Sequence, residues 1–239
     1  MEVQIEPKIR KTIDNFLQQL KAGLGDNLKS LILYGSLASG GYSQRHSDIN
    51  ILLVLRQSDI EVLRQLSRLK HNYKFRNLSI LALTRSYIES STDTFPIEFL
   101  DIRESYSVLW GEDCIKGLKI DLRNLRHQCE WELKSKIIRM QELYICSQAN
   151  TATLRSFLTQ NLSSFIVVFK NILRLKGIEE KEKNRILELI AVEFGLNKDV
   201  LIKLWQARAE GQRIANVEEV FGNLFRELQK LAEAVDKLL

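Results

Sequence analysis

Residues Leu31 to Leu55 read LILYGSLASGGYSQRHSDINILLVL. An aliphatic run stops at Gly35-Ser36, a small and polar connector follows, and Asp48 and Asn50 open a second aliphatic run. Leu28 to Tyr34 is short and bounded by glycine, which suits a buried central strand better than a two-turn helix. Asp48 to Leu55 reads as the next strand, apolar on both faces after its polar start, so both faces need covering. Side chains two apart in a strand point the same way, which sets Asp48 and Asn50 together about 6 to 7 Å apart. Gly35 lets a phosphate approach the backbone closely, and Ser36 adds a hydroxyl. Such a mouth fits a triphosphate with a divalent cation, the equipment of phosphoryl or nucleotidyl transfer.

The flanking sequence supplies layers for these strands. Pro7 opens a helical pattern with Ile9, Ile13, Phe16, Leu17 and Leu20 at helical spacing, closed by Gly23 and Gly25. Ser36 to Gly41 can turn into a short helix. Ser58-Asp59 can cap a helix through Lys70 with Ile60, Leu63, Leu66 and Leu69 on one stripe. Leu78 to Leu83 reads as a strand, Arg85 to Ser91 as a short helix, and Phe95 to Arg103 as a further strand.

Beyond Leu118 strand-like runs and prolines disappear, and amphipathic patterns fill the rest. Leu122, Leu125, Cys129, Leu133, Ile137, Met140 and Tyr144 mark the first helix, and four more follow with Thr151, Asn197 and Asn216 at caps and Gly177, Gly195 and Gly211 as stops. The expected architecture is therefore an α/β domain, a mixed sheet with flanking helices over residues 1–112, followed by an all-α helical bundle over residues 113–239.

Composition excludes several classes. At 239 residues, with 45% hydrophobic and 27% charged, the chain has the make-up of a globular protein able to bury a substantial core. Its net charge of +5 divides into +1 through Glu112 and +4 from Asp113 onward, with no concentrated basic patch. A polynucleotide partner is thus possible but not indicated, because phosphate neutralisation supplies most of such affinity. No apolar run approaches the roughly 20 residues of a membrane span. Cys114, Cys129 and Cys146 are odd in number and lack CxxC spacing, which points to free thiols and a cytoplasmic setting.

A hard cation normally takes another carboxylate, and FPIEFLDI offers Glu98 and Asp101. As a strand, this stretch turns the two to opposite faces, so only one can join Asp48; strand parity does not say which. The order of strand, Gly35-Ser36, connector, Ser47-Asp48-x-Asn50 and a later acid in an apolar strand resembles the nucleotidyltransferase superfamily with the DNA polymerase β-like fold. The likeness spans Leu28 to Ile102, and the helical remainder resembles the bundle of two-domain, kanamycin-nucleotidyltransferase-like members. In that family the third acid sits early in a strand of the form apolar-acid-apolar-apolar, which favours Glu98.

The resemblance implies transfer of a nucleoside monophosphate from an NTP, with ATP the expected substrate, to a hydroxyl on a small molecule or protein. Gly35 and Ser36 would bind the nucleotide's phosphates, and Asp48, Asn50 and Glu98 would be catalytic and hold one or two Mg2+ ions. Glu130, with Glu132 beside it, lies where the resembling antibiotic-modifying enzymes place a general base. Arg45 and His46 flank the connector near the phosphates. Asn50 departs from the family, which has a second aspartate there. An amide oxygen can ligate magnesium without bringing charge, and the attraction forgone is about 1 to 4 kcal/mol at 4 Å. The alternative expectation is a catalytically inactive nucleotide-binding or protein-interaction module of regulatory, antitoxin-like kind. Acceptor, base preference and oligomeric state are not legible in the sequence.

Overall fold

The computed structural model describes residues 5–40, 48–72, 78–209 and 211–238. The chain divides into two compact units, Met1–Ile120 and Asp121–Leu239. The first is a mixed four-stranded sheet with flanking helices, and the second is helical.

In the first unit Pro7 occupies the opening turn of α1 (Pro7–Leu24), whose Ile9, Ile13, Phe16, Leu17, Leu20 and Leu24 are buried along one side. β1 (Leu28–Tyr34) and β2 (Ile49–Leu55) are antiparallel neighbours, and β3 (Leu78–Thr84) joins β2 in parallel. The sheet order is β3-β2-β1-β4, with β4 (Tyr106–Gly111) antiparallel to β1. The parallel pair needs a crossover, which α2 (Ile60–Asn72) supplies.

Alternation along the strands makes two apolar faces. Leu31, Leu33, Ile49, Ile51, Leu53 and Leu55 form one with α1 and with Val62 and Leu66 of α2. Ile32, Leu52 and Val54 form the other with Ile88 of α3 (Arg85–Ser90) and Phe99 and Ile102 of α4 (Pro96–Glu104). The sheet is thus covered on both sides, as the unbroken aliphatic run of β2 requires.

Three expectations are corrected, two of them in this unit. Phe95 to Arg103 is helix α4, not a strand, and the fourth strand comes afterwards at Tyr106–Gly111. Pro96 at the first helical position, Glu98 in the first turn and Arg103 in the last favour the helix at both ends. Gly111 ends β4 at φ +86°, where an added Cβ would lie 2.0 Å from the Lys29 carbonyl oxygen, so only glycine fits this close crossing. On α2 the buried stripe is Val62 and Leu66 with Leu69 partly covered, whereas Ile60 and Leu63 are 60% and 45% exposed. The Asp59 side chain caps this helix by accepting from the Val62 N–H at 2.9 Å.

In the second unit α6 (Thr151–Leu175) is the central element, with α5 (Leu122–Cys146), α7 (Lys183–Phe194), α8 (Lys198–Ala209) and α9 (Val217–Asp236) all packing on it. Leu158, Phe165, Phe169, Ile172 and Leu173 of α6 are essentially excluded from water. Asn150 rather than Thr151 caps α6, its Oδ1 accepting from the Ala152 and Thr153 N–H groups at 3.1 Å. Gly195 closes α7 in the left-handed conformation. The three cysteines are free thiols, Cys114 and Cys129 buried and Cys146 exposed. Among the described residues no helix is long and apolar enough to cross a membrane.

Candidate functional site at the mouth of the sheet

The end of β1 and the start of β2 meet where the sheet stops being apolar. Tyr34 pairs with Asn50 in register, Asn50 pairs with Ser79 on β3, and Tyr34 pairs with Tyr106 on β4. Paired residues share a face, so Ser79, Asn50, Tyr34 and Tyr106 form one polar row across all four strands. It lies on the face of Ile32, Leu52 and Val54, where Tyr34 and Tyr106 pack against the cluster that includes Ile88 of α3 and Phe99 and Ile102 of α4. Asp48 stands two residues before Asn50, exposed at the opening of β2.

Gly35 follows Tyr34 with φ +78°, a conformation costing most residues about 1 to 2 kcal/mol. Its N–H donates to the Ser105 carbonyl at 2.9 Å, which ties the turn to the connection between α4 and β4. A Cβ on Gly35 would sit 2.9 Å from Asn50 Nδ2, so the side-chain amide rests directly against the turn. Ser36 is half-buried in the tight helical turn Gly35–Leu37. Gly35, Ser36 and Asn50 are therefore brought together as the sequence requires, with Asp48 at their edge.

The remaining expected residues fall elsewhere. Glu98 and Asp101 are three apart on a helix and so neighbour each other, reversing the opposition that a strand imposes. Glu104 lies one turn on from Asp101, and the C-terminal end of α4 is the one joined to Gly35 through Ser105. At 1.5 Å per residue, Glu98 lies about 10 Å along the axis from Ser105 and Asp101 about 6 Å. Glu98 is exposed, whereas Asp101 and Glu104 are half-buried. Glu130 lies on α5, where it accepts from Arg126 Nη1 at 2.8 Å and pairs with Lys134. The Lys134 hydrogen bond leads the influences holding its carboxyl below the usual range, which makes it a weaker proton acceptor. Arg45 and His46 lie outside the described residues.

Ser79, Tyr34 and Tyr106 are members of the row that strand reading alone did not select. The signal is register, because only the pairing of β3 and β4 shows that these positions line up with Asn50. Burial raises the Tyr34 phenol above its ordinary pKa. Tyr106 is pushed up to about 12, by burial first and then by its hydroxyl donating to Asp113 Oδ2 at 2.9 Å. Burial works to raise the Asp113 carboxyl, but the Lys116 N–H, the Tyr106 hydroxyl and the Ile115 N–H outweigh it and hold it low.

Among the described residues no group of three or more His, Cys, Asp or Glu stands close enough to hold a metal ion. The row offers one amide oxygen, Asn50, and Asp48 adds a carboxylate at its edge. Magnesium commonly uses one or two carboxylates with substrate phosphates and water completing its shell. This donor set fits one ion carried with a triphosphate, and nothing in the described row supplies charge for a second.

No protein-family model matches the chain, and no curated protein sequence matches it. Among solved structures it is similar to spectinomycin adenyltransferase AAD(9) from Enterococcus faecialis, a structure with ATP and spectinomycin. That likeness covers 92% of this chain and 99% of the other at 13% identity, with a TM-score of 0.57. A Sulfolobus solfataricus protein, classed provisionally as a nucleotidyltransferase, matches 44% of this chain and 85% of its own at 20% identity, with a TM-score of 0.31. The chain thus has a nucleotidyltransferase-like fold, a mixed sheet followed by a helical region, as its sequence motif implies.

Proposed function

We propose that the chain binds a magnesium–nucleoside triphosphate complex, ATP in the first instance, at the mouth of the sheet and transfers its nucleoside monophosphate to a hydroxyl acceptor. The observation that supports this reading is the packing of the Asn50 amide against the Gly35 turn with Asp48 beside it. Gly35 and Ser36 receive the β- and γ-phosphates. Asp48 and the Asn50 oxygen hold the single Mg2+, which supplies neutralising charge on the triphosphate. Glu98 was expected as a third ligand on the strand form of its stretch, which helix α4 does not have, and among the α4 acids Asp101 and Glu104 are the two nearer the Gly35 end. In the reaction the acceptor oxygen bonds to the α-phosphorus, the bond to the bridging oxygen breaks and pyrophosphate leaves. The hydroxyl proton passes to water or a carboxylate base.

A second reading is favoured by the described row itself, where Ser79 stands beside Asn50 and neither brings a carboxylate. In it the fold binds nucleotide without turnover, as a regulatory or antitoxin-like partner. One experiment separates the two. ATP labelled on the α-phosphate is incubated with the chain, Mg2+ and hydroxyl acceptors, with spectinomycin among them because AAD(9) was crystallised with it. Label on an acceptor, abolished by Asp48→Ala, supports transfer. Calorimetric binding of Mg-ATP with no transfer, and transfer appearing in Asn50→Asp, supports the second reading. Absence of binding in both chains removes both.

A further inference from the structure

The polar row at the mouth is uncharged from end to end. Ser79, Asn50, Tyr34 and Tyr106 stand side by side on the four strands, and at about 4.8 Å between strands Ser79 lies about 10 Å from Tyr34. The Tyr106 hydroxyl is committed to Asp113. The side chains of Ser79, Asn50 and Tyr34, by contrast, have no hydrogen-bond partner among the described residues. Burial raises the Tyr34 phenol, which keeps it protonated and a hydrogen-bond donor through the neutral range. Charges stand only at the margins, with Asp48 exposed at the opening of β2 and Asp101 and Glu104 on α4. The orientation of Asn50 adds a direction. A Cβ on Gly35 would lie 2.9 Å from Asn50 Nδ2 and 3.9 Å from its Cγ, so the nitrogen of the amide faces the turn and its oxygen is farther off.

We infer that Asn50, Ser79 and Tyr34 donate hydrogen bonds to phosphate oxygens, so that the mouth captures a nucleoside triphosphate without a divalent cation and the ion serves transfer rather than capture. The inference rests on nucleotide binding at the mouth, which both readings above share. Its physical basis is charge. A carboxylate in the place of Asn50 would set an acceptor and a negative charge against the Gly35 turn, and a polyphosphate could settle there only after a cation had offset the repulsion. Neutral donors carry no such requirement, because an oxyanion accepts from N–H and O–H groups directly and its charge strengthens each bond. An amide also has two ends. Its nitrogen serves the phosphates while its oxygen stays open to an ion that arrives with them. Asn50 thereby decides which forms of the nucleotide are taken, the metal-free one as well as the magnesium complex.

Calorimetric titration of the full chain with ATP, once in excess Mg2+ and once in EDTA, tests this. ATP should bind in EDTA with a Kd within about tenfold of that in Mg2+. Asn50→Asp should weaken binding in EDTA by at least about tenfold while binding in Mg2+ is kept or tightened, because the added charge repels bare phosphate and attracts the ion. A merely structural change would move both conditions together, and circular dichroism of the variant checks that it folds. Ser79→Ala and Tyr34→Phe should each weaken binding about tenfold in both conditions, the loss of one hydrogen bond to a charged acceptor. A chain that binds ATP only with Mg2+ overturns the inference and leaves the nucleotide site standing. Equal binding of wild type and a folded Asn50→Asp chain in EDTA overturns it too. No binding in either condition removes the nucleotide site, and this inference with it.

Discussion

The two faces of the sheet are cut from the same strands yet built for different ends. On one, Leu31, Leu33, Ile49, Ile51, Leu53 and Leu55 run apolar from end to end beneath α1 and α2. On the other, Ile32, Leu52 and Val54 give way toward the mouth to Tyr34, Asn50, Ser79 and Tyr106. Burying an apolar side chain is worth about 1.5 to 3 kcal/mol, so every polar replacement at the mouth forgoes stability. The first face holds the unit together, and the second gives up part of that work where a polar ligand can be received.

This contrast can be broken at the closed face first. Leu53→Ala, at a fully buried position, should cost about 3 kcal/mol in chemical denaturation while leaving the mouth's residues in place. Gly35→Ala should cost about 1 to 2 kcal/mol for its positive φ, and the same measurement paired with Mg-ATP calorimetry should show a disproportionate loss of binding. Asn50→Asp should sharpen the difference, tightening Mg-ATP about tenfold through the added charge while leaving the denaturation midpoint lower or unchanged. The smallest effect belongs to Tyr106→Phe, which removes the bond to Asp113 and should cost about 1 kcal/mol.

The pH dependence follows from the same pair. A Tyr106 pKa raised to about 12 means the folded state keeps its proton after the unfolded chain has lost it near 10. Its contribution is whole below pH 10 and declines as pH rises toward 12. Asp113, held low, contributes fully above the ordinary carboxylate range and loses that contribution as pH falls through it. Thermal melts of wild type and Tyr106→Phe should therefore converge at the alkaline end, and parallel curves there would contradict this assignment.

Much of the site is legible in LILYGSLASGGYSQRHSDINILLVL because it is local. A glycine turn after an aliphatic strand and a polar start to the next need only period two and the φ freedom of glycine. The stretch FPIEFLDI misled because Phe, Ile and Leu crowd it too closely for either period to emerge in eight residues. Pro96 and Glu98 were the available helix-start signals. Reading it as a strand displaced the sheet's last strand to the wrong segment and set Glu98 against Asp101 by a parity that a helix does not have.

By itself the sequence determined the class of fold, the two central strands, the change from mixed sheet to helices, and the meeting of Gly35, Ser36 and Asn50. All of these follow from periodicity, turn chemistry and nearest neighbours along the chain. Only the tertiary structure decided that Ser79, Tyr34 and Tyr106 stand in line with Asn50, because register between strands is set by packing across the sheet rather than along it. It also decided that Trp131, Ile138 and Ile145 are left outside, because α5 spends its other face on the core and a helix has only one face to give each partner.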